Sequence, residues 1–252
     1  MPNQLDQIAT LLHSSRRVLF ITGAGVSAES GVPTFRGATG AFANGLTEEG
    51  LPFEEVLSGP TFLSNPRLAW KYFFRLELSM RGKVPNAAHR AMAALETPGR
   101  SVCIATQNID ELHQSAGSTN VIELHGSLRR IICPSCDYDV YHPTFAGLPE
   151  LPLCPQCHAI LRPDVVLYEE MLPPAALRRF DQEQEAGFDI VFSVGTTSIF
   201  SYVTWPIESA ARRGIPTVEI NPERTSISEL VRFRLAAPAG PTLQSIREKL
   251  AG

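Results

Sequence analysis

Two Cys-x-x-Cys pairs constrain this chain more than any other feature of its 252 residues. Cys133 and Cys136 form the first pair, Cys154 and Cys157 form the second, and residues 137–153 separate them. A gap of two residues lets both thiolates of a turn reach one ion, and this separation between pairs is typical of a four-thiolate zinc module. Because four thiolates close the coordination shell, such an ion supports a fold and performs no chemistry. We therefore predict one structural Zn²⁺.

Two disulfides or a redox pair are the alternatives to zinc. Disulfides persist mainly in oxidising compartments, and a redox motif would not need to be duplicated. His142 and His158 are further candidate ligands, although four cysteines already complete the shell. The fifth cysteine, Cys103, lies in the apolar run 101–105 and is predicted to be a buried thiol.

The composition is that of an ordinary globular chain, with 44% hydrophobic residues, 19% charged residues and a formal net charge of -4. Nucleic-acid-binding proteins are usually basic with clustered Lys and Arg, so no nucleic-acid partner is predicted. Asp6, Arg16 and Arg17 lie near the start without an apolar signal core, and no apolar run reaches membrane-spanning length. We expect a cytoplasmic protein with no membrane partner, and the modest charge is compatible with a monomer.

Short apolar runs alternate with helical patterns, which predicts an α/β fold with a doubly wound parallel sheet. We expect strands at 17–22, 101–106, 121–124, 189–194 and 216–220, and helices at 3–15, 66–81, 87–95 and 175–184. The first strand runs into Gly23-Ala24-Gly25, and a strand followed by Gly-x-Gly is typical of a dinucleotide phosphate site. Three of the strands end in polar or glycine-rich turns, which predicts one ligand crevice at the carboxyl edge of the sheet.

The glycine turn departs from that of an ordinary NAD dehydrogenase. Gly31 and Pro33 interrupt the helix that should follow, and the chain continues as a loop through Phe35 and Arg36. No second strand with an acidic end, the group that usually binds the ribose, follows at the expected distance. A dehydrogenase is therefore disfavoured, and the loop is expected to continue over the ligand.

Taken together, the motifs resemble those of the sirtuin family of NAD-dependent protein-lysine deacylases. They are GAGVSAESGVPTFR at 23–36, TQNID at 106–110, LHG at 124–126, the four paired cysteines and GTT at 195–197. The resemblance covers nearly the whole chain in order. It implies a Rossmann-like NAD-binding domain with an inserted small lobe of helices and zinc. The Rossmann-like domain would comprise 1–40, 92–128 and 178–252, and the small domain a helical part at 41–91 and a zinc part at 129–177.

The resemblance implies that His125 is the general base and that Asn108 belongs to the catalytic site. In the family's reaction the acyl oxygen of a modified lysine attacks the nicotinamide ribose, nicotinamide leaves, and O-acyl-ADP-ribose forms. A ribose hydroxyl must lose a proton in this reaction, and histidine is a base that is neutral near pH 7. The residues expected to contact NAD, the co-substrate, are Gly23, Ala24, Gly25, Ser27, Phe35, Arg36, Gln107, Asn108, Ile109, Asp110, Gly195, Thr196, Thr197, Asn221, Pro222, Glu223 and Ala239.

Tyr72 and Arg75 stand three residues apart, so they share one face of the predicted helix. Tyr-x-x-Arg at this place resembles the sirtuin subgroup that removes acidic acyl groups. A guanidinium can hold a carboxylate through two hydrogen bonds, and a phenol adds one donor. The resemblance therefore implies removal of succinyl and malonyl groups, and also acetyl groups, from acyl-lysine proteins or peptides.

Other functions are compatible with the same NAD site. A protein mono-ADP-ribosyltransferase and a plain deacetylase are the enzyme alternatives, and a non-catalytic NAD sensor is disfavoured by His125 and Asn108. The sequence departs from the family pattern at Tyr168-Glu169-Glu170, where members usually carry Phe-Gly-Glu. It also departs from Gly195 to Pro206, which is longer than the common pattern.

Overall fold

The computed structural model describes residues 3–33 and 46–251. Contacts divide the chain into two units, the first comprising Met1–Gly31, Val84–Leu124 and Pro174–Gly252, and the second Val32–Lys83 and His125–Pro173. Every helix in the described ranges is too short or too polar to cross a membrane.

Nine strands and nine α-helices lie in the described ranges. The strands are β1 (Arg17–Thr22), β2 (Ser101–Thr106), β3 (Val121–Glu123), β4 (Gly126–Ile132), β5 (Asp139–Tyr141), β6 (Arg162–Val165), β7 (Ile190–Val194), β8 (Thr217–Ile220) and β9 (Phe233–Leu235). The helices are α1 (Gln4–Ser14), α2 (Phe53–Val56), α3 (Gly59–Ser64), α4 (Pro66–Met80), α5 (Ala87–Ala94), α6 (Leu112–Ser115), α7 (Pro174–Glu185), α8 (Ser201–Arg212) and α9 (Ala239–Ala251).

The first unit is built on a six-stranded parallel sheet with the strand order β3-β2-β1-β7-β8-β9. Thr22 at the end of β1 pairs with Thr106 of β2 and Val194 of β7, so these three strands end level with one another. The strands are buried on both faces, as parallel strands covered by helices must be. The predicted α/β fold with a doubly wound parallel sheet is therefore confirmed.

Helices cover both faces of this sheet. One core combines residues of α1, α5 and α9, such as Leu12, Met92 and Ile246, with one face of the strands. The other core brings Phe180 of α7 and Ile207 of α8 against the opposite face. Interdigitated apolar side chains of this kind supply most of the stability of a helix that is only a few turns long.

The predicted domain boundaries differ from the observed ones mainly at α5, and by a few residues at 125–128 and 174–177, which belong to the other unit. The sequence places 41–91 in the small domain, whereas the structure assigns the chain from Val84 onward to the first unit. The reason is packing, because Ala88, Ala91 and Met92 lie in the first unit's core. Asn86 caps this helix by accepting hydrogen bonds from the backbone of its first turn.

The second unit combines α2, α3 and α4 with a three-stranded antiparallel sheet in the order β5-β4-β6. Trp70 and Phe74 of α4 pack against Phe145, with ring centroids 5.7 Å apart in each pair. The indole N–H of Trp70 donates a 2.8 Å hydrogen bond to the carbonyl of Leu161. This buried bond ties α4 to the zinc-bearing part of the unit.

Candidate functional site

The two glycine turns that follow β1 and β7 pack backbone against backbone. The amide of Gly25 donates a 2.8 Å hydrogen bond to the carbonyl of Gly195. A Cβ on Gly25 would lie 2.8 Å from Gly195 Cα, and a Cβ on Gly195, whose φ is +61°, would lie 2.4 Å from the nitrogen of Val26. Only glycine fits at these positions, and the close approach leaves a cradle without side chains that suits a pyrophosphate.

Polar side chains connect the carboxyl ends of the neighbouring strands. The amide nitrogen of Gln107 lies 2.9 Å from the hydroxyl of Thr196, and the amide nitrogen of Asn221 lies 2.9 Å from the carbonyl of Thr196. These bonds join the loops after β2, β7 and β8. The structure thus brings together three of the predicted NAD contacts at the edge where an open α/β sheet binds its ligand.

Ser27 is the centre of a buried network in the same unit. Its hydroxyl accepts a 3.0 Å hydrogen bond from the Asn108 side-chain amide and donates a 2.7 Å bond to Asp110 Oδ2. The other carboxylate oxygen of Asp110 accepts a 3.0 Å bond from the backbone of Leu112. All three polar side chains are less than a tenth exposed, so their orientations are fixed by these bonds.

Two buried histidines adjoin this network, and sequence reasoning missed both. His89 Nε2 lies 3.4 Å from the Ser27 hydroxyl, His113 Nε2 lies 3.0 Å from the Thr22 hydroxyl, and the two rings are 4.8 Å apart. Burial lowers the pKa of His89 to about 4 and that of His113 well below its ordinary value. Both rings are therefore neutral at pH 7. The helix cap Asn86, three residues before His89, is the sequence signal that could have placed the first of them.

His125, the predicted base, is half-buried and is the first residue of the second unit's later segment, His125–Pro173. Its carbonyl accepts a 3.0 Å hydrogen bond from the amide of Val166. The next residue, Gly126, has φ +75°, and a Cβ there would lie 1.9 Å from the carbonyl oxygen of Asp164. The backbone that carries His125 is thus fixed against β6 by a contact that only glycine permits.

The four paired cysteines come together as predicted. Their sulfur atoms all lie within 4.8 Å of one another, and among the described residues no histidine joins the group. Four thiolates about 2.3 Å from one tetrahedral Zn²⁺ would stand about 3.8 Å from each other. The sulfur atoms of Cys133 and Cys157 are 3.4 Å apart and those of Cys136 and Cys154 are 3.5 Å apart, so the group fits a single structural ion. Backbone amides of Ser135 and Gln156 donate to Cys133 and Cys154 at 3.4 Å.

The fifth cysteine lies apart from that group, in β2. Cys103 is 1% exposed, and burial raises the pKa of its thiol to about 12. It is therefore a core residue with no thiolate character at neutral pH, as the sequence predicts.

The sequence profile of the Sir2 family matches residues 23–201. This chain belongs to the Sir2 family. It is 42% identical over 237 residues to NAD-dependent protein deacylase 2 of Pseudomonas aeruginosa, covering 92% of this chain and 91% of that relative. A solved Sir2 homolog-NAD complex aligns with a TM-score of 0.89 and 34% identity, covering 99% of this chain and 94% of the other. A Sir2-p53 peptide-NAD+ complex aligns with a TM-score of 0.84 and 27% identity, covering 98% of both chains.

The remaining predicted NAD contacts of this Sir2 family member vary in exposure. Phe35 and Arg36 lie outside the described residues. The exposed ones are Thr197, Pro222 and Glu223, and the half-buried or buried ones are Gly23, Ala24, Ile109 and Ala239.

Tyr72 and Arg75 share one face of α4, and carboxylates already engage both. The guanidinium carbon of Arg75 lies 5.0 Å from the centre of the Tyr72 ring, and a guanidinium nitrogen lies 2.6 Å from Glu48 Oε1. The buried hydroxyl of Tyr72 donates a 2.5 Å hydrogen bond to Glu49 Oε2 and accepts a 3.1 Å bond from the amide of Glu48. The predicted acyl-binding pair is thus the centre of a polar cluster.

Lys71 completes this cluster. Its ammonium lies 3.1 Å from Glu48 Oε2 and also pairs with Glu49. The hydrogen bond from Lys71, followed by that from Tyr72, lowers the pKa of Glu49 to about 2. Arg75 and then Lys71 hold the pKa of Glu48 below its ordinary value. Both carboxylates are ionised at neutral pH, so two cations face two anions.

Proposed function

We propose that this Sir2 family member removes acyl groups from protein or peptide lysines with NAD as its co-substrate. The single observation that carries the proposal is the buried network in which Ser27 binds both Asn108 and Asp110, next to the glycine cradle. The names of its relatives support it, because they are NAD-dependent protein deacylases and Sir2 structures with NAD or peptide bound. NAD supplies an electrophilic ribose carbon, nicotinamide as the leaving group and a ribose hydroxyl that receives the acyl group.

In this reaction the residues of the chain bind NAD, orient the reacting groups and move a proton. The cradle formed by Gly23, Gly25 and Gly195 receives the phosphates through backbone contacts. Ser27 holds the amide of Asn108 in one orientation, which presents that amide to the ribose. His125 takes the proton from the ribose hydroxyl, and the neutral imidazole is the required form at pH 7.

We further propose that acidic acyl groups, succinyl and malonyl, are substrates alongside acetyl. The support is that the Arg75 guanidinium lies 2.6 Å from a carboxylate oxygen, with a second donor, the Tyr72 hydroxyl, on the same face. A guanidinium and a phenol are the donors that recognise a terminal carboxylate. Acyl-lysine proteins or peptides are therefore the proposed partners.

A plain deacetylase is the second candidate, and one observation favours it. Glu48 and Glu49 already occupy the donors of Arg75 and Tyr72. If these contacts were only structural, Tyr72 and Arg75 would contribute nothing to acyl choice, and acetyl groups would be the main substrate.

The test compares NAD-dependent removal of acetyl, malonyl and succinyl groups from matched lysine peptides. The proteins are the wild type, Arg75→Met, and Arg67→Met as a matched control, since Arg67 is an exposed arginine of the same helix. Nicotinamide release is measured with and without peptide.

We expect Arg75→Met to lose succinyl and malonyl removal at least about tenfold while acetyl removal persists, because a hydrogen bond to a charged group contributes roughly 1.5–3 kcal/mol. Acetyl removal that dominates in all three proteins would support the plain deacetylase. Nicotinamide release without acyl-lysine, with ADP-ribose left on a protein, would instead support the mono-ADP-ribosyltransferase.

A further inference from the structure

We propose that Glu48 determines acyl preference, because its carboxylate occupies the guanidinium of Arg75 that an acidic acyl group would have to bind. This inference rests on the proposed removal of acidic acyl groups. In this inference, a carboxylate of the chain and a carboxylate of the substrate compete for one cation, and the competition sets the acyl choice.

The position of Glu48 follows from a short turn ahead of α2. An isolated β-bridge between Leu46 and Pro52 closes the turn, and the amide of Thr47 donates a 2.8 Å hydrogen bond to the carbonyl of Leu51. The hydroxyl of Thr47 accepts a 3.2 Å bond from the amide of Leu51. These bonds close the turn, and the bond from the amide of Glu48 to the Tyr72 hydroxyl holds it beside α4, so the carboxylate of Glu48 reaches Arg75.

The charges around Arg75 are balanced without a substrate. Lys71 and Arg75 supply two positive charges, and Glu48 and Glu49 supply two negative ones. Lys71 pairs with both carboxylates, and Arg75 pairs with Glu48. A succinyl carboxylate would add a third negative charge to this cluster. If the side chain of Glu48 moves away, the incoming carboxylate restores the balance, whereas if it stays, like charges meet.

Exposure makes this exchange feasible for Glu48 and unfavourable for Glu49. The Glu48 side chain is 62% exposed and can rotate into water, whereas that of Glu49 is 30% exposed and accepts from the buried Tyr72 hydroxyl. Exposed ion pairs are weak because water screens them. Glu48 therefore competes with an acidic acyl group and does not exclude it.

The experiment measures kcat/KM for succinyl-lysine and acetyl-lysine peptides in five proteins. They are the wild type, Glu48→Gln, Arg75→Met, the double variant, and Glu54→Gln, which removes an exposed glutamate of α2 as a matched control. Binding of the succinyl peptide is followed by fluorescence anisotropy, and thermal unfolding shows that each variant folds.

We expect Glu48→Gln to raise the succinyl-to-acetyl ratio by about twofold to fivefold, the size of an exposed ion pair, and to tighten succinyl peptide binding by a similar factor. Glu54→Gln should match the wild type. In the Arg75→Met background, Glu48→Gln should change nothing, because there is no guanidinium left to compete for.

The outcomes separate this inference from the proposed function. If Arg75→Met lowers the ratio but Glu48→Gln leaves it at the wild-type value, the acidic-acyl activity stands and the role of Glu48 is wrong. If Arg75→Met also leaves the ratio unchanged, the acidic-acyl proposal fails and this inference fails with it. Succinyl removal that becomes measurable only in Glu48→Gln would show that Glu48 excludes the acidic acyl group, which would overturn the competition.

Discussion

The Ser27 hydroxyl donates a 2.7 Å hydrogen bond to the carboxylate of Asp110, 83 residues further along the chain. The same oxygen accepts from the amide of Asn108. One small side chain therefore sets the orientation of two groups in the proposed NAD site.

Replacement of Ser27 by Ala tests this relationship. The change leaves the Asn108 amide and the Asp110 carboxylate short of a partner, which costs about 1–3 kcal/mol of folding free energy when the groups are buried. We expect nicotinamide release to fall at least about tenfold, because orientation of a reacting group contributes more than this. Ser14→Ala, at the exposed end of α1, is the control and should change neither quantity. Wild-type activity in Ser27→Ala would contradict the role of the network.

Gly126→Ala should disrupt the backbone at His125. The new methyl would lie 1.9 Å from the carbonyl oxygen of Asp164, in addition to the cost of a left-handed φ. We expect a loss of about 3 kcal/mol or more in unfolding free energy, measured in urea, and a loss of activity. Gly82→Ala provides the control, since Gly82 has φ +71° but no atom within 4 Å of its Cβ position. It should lose only about 1 kcal/mol, and equal losses in the two variants would refute the contact argument.

Stability should depend on pH through the buried histidines. The pKa of His89 is about 4 in the folded protein, against 6.5 ordinarily. Between these two pH values the unfolded chain binds a proton at His89 and the folded chain does not. The contribution of His89 to the unfolding free energy is therefore constant above about pH 7 and falls as pH drops below 6.5, by about 2 kcal/mol between pH 7.5 and pH 5. His113, whose pKa is lowered by burial as well, adds a loss of the same sign. Urea denaturation at several pH values should show a flatter profile for His89→Gln than for the wild type.

Zinc removal should unfold part of the second unit. Cys154→Ser replaces one of the four clustered thiols, so we expect the bound zinc, measured by elemental analysis, to fall from one ion per chain. The thermal midpoint should fall with it. Cys103→Ala is the matched control because Cys103 lies in β2, and it should retain one ion. Full zinc content in Cys154→Ser would contradict the four-thiolate site.

Glu169 occupies a left-handed conformation with φ +68°. Its side chain is exposed, and family members usually carry glycine here, so Glu169→Gly should relieve strain. We expect a gain of up to about 1 kcal/mol in unfolding free energy. Glu54→Gly is a control for which we expect the opposite sign, because glycine inside a helix lowers the unfolding free energy by roughly the same amount. Destabilisation by both changes would show that the conformation at Glu169 carries no strain.

The sequence predicted best what is encoded locally. The strands 17–22 and 101–106 are observed with those bounds, because a buried parallel strand is a continuous apolar run. The spacing of the cysteines predicted their cluster correctly, because the two residues between the members of each pair lie in a single turn. In contrast, α8 and α9 were not predicted. Pro206 stands inside α8, and tertiary packing overrides that local signal.

Contacts between distant polar segments could not be predicted. Glu48 lies in a polar turn without periodicity, so nothing in the sequence pairs it with Arg75 on a helix that begins after α3. His113 meets Thr22 only because β1 and β2 are neighbours in the sheet. Such pairs depend on the tertiary fold, and a single sequence records no relation between their members.

The order of strands also governs how the chain can assemble during synthesis. The central strand β1 emerges well before its neighbour β7, which lies about 170 residues later, and α9, whose Leu243 and Ile246 share a core with Leu12 of α1, follows β7 in the chain. The nascent first unit therefore cannot complete this core until both β7 and α9 have left the ribosome. We expect slow folding, dominated by these long-range pairings, and we expect the docking of α9 to be the event that closes this core.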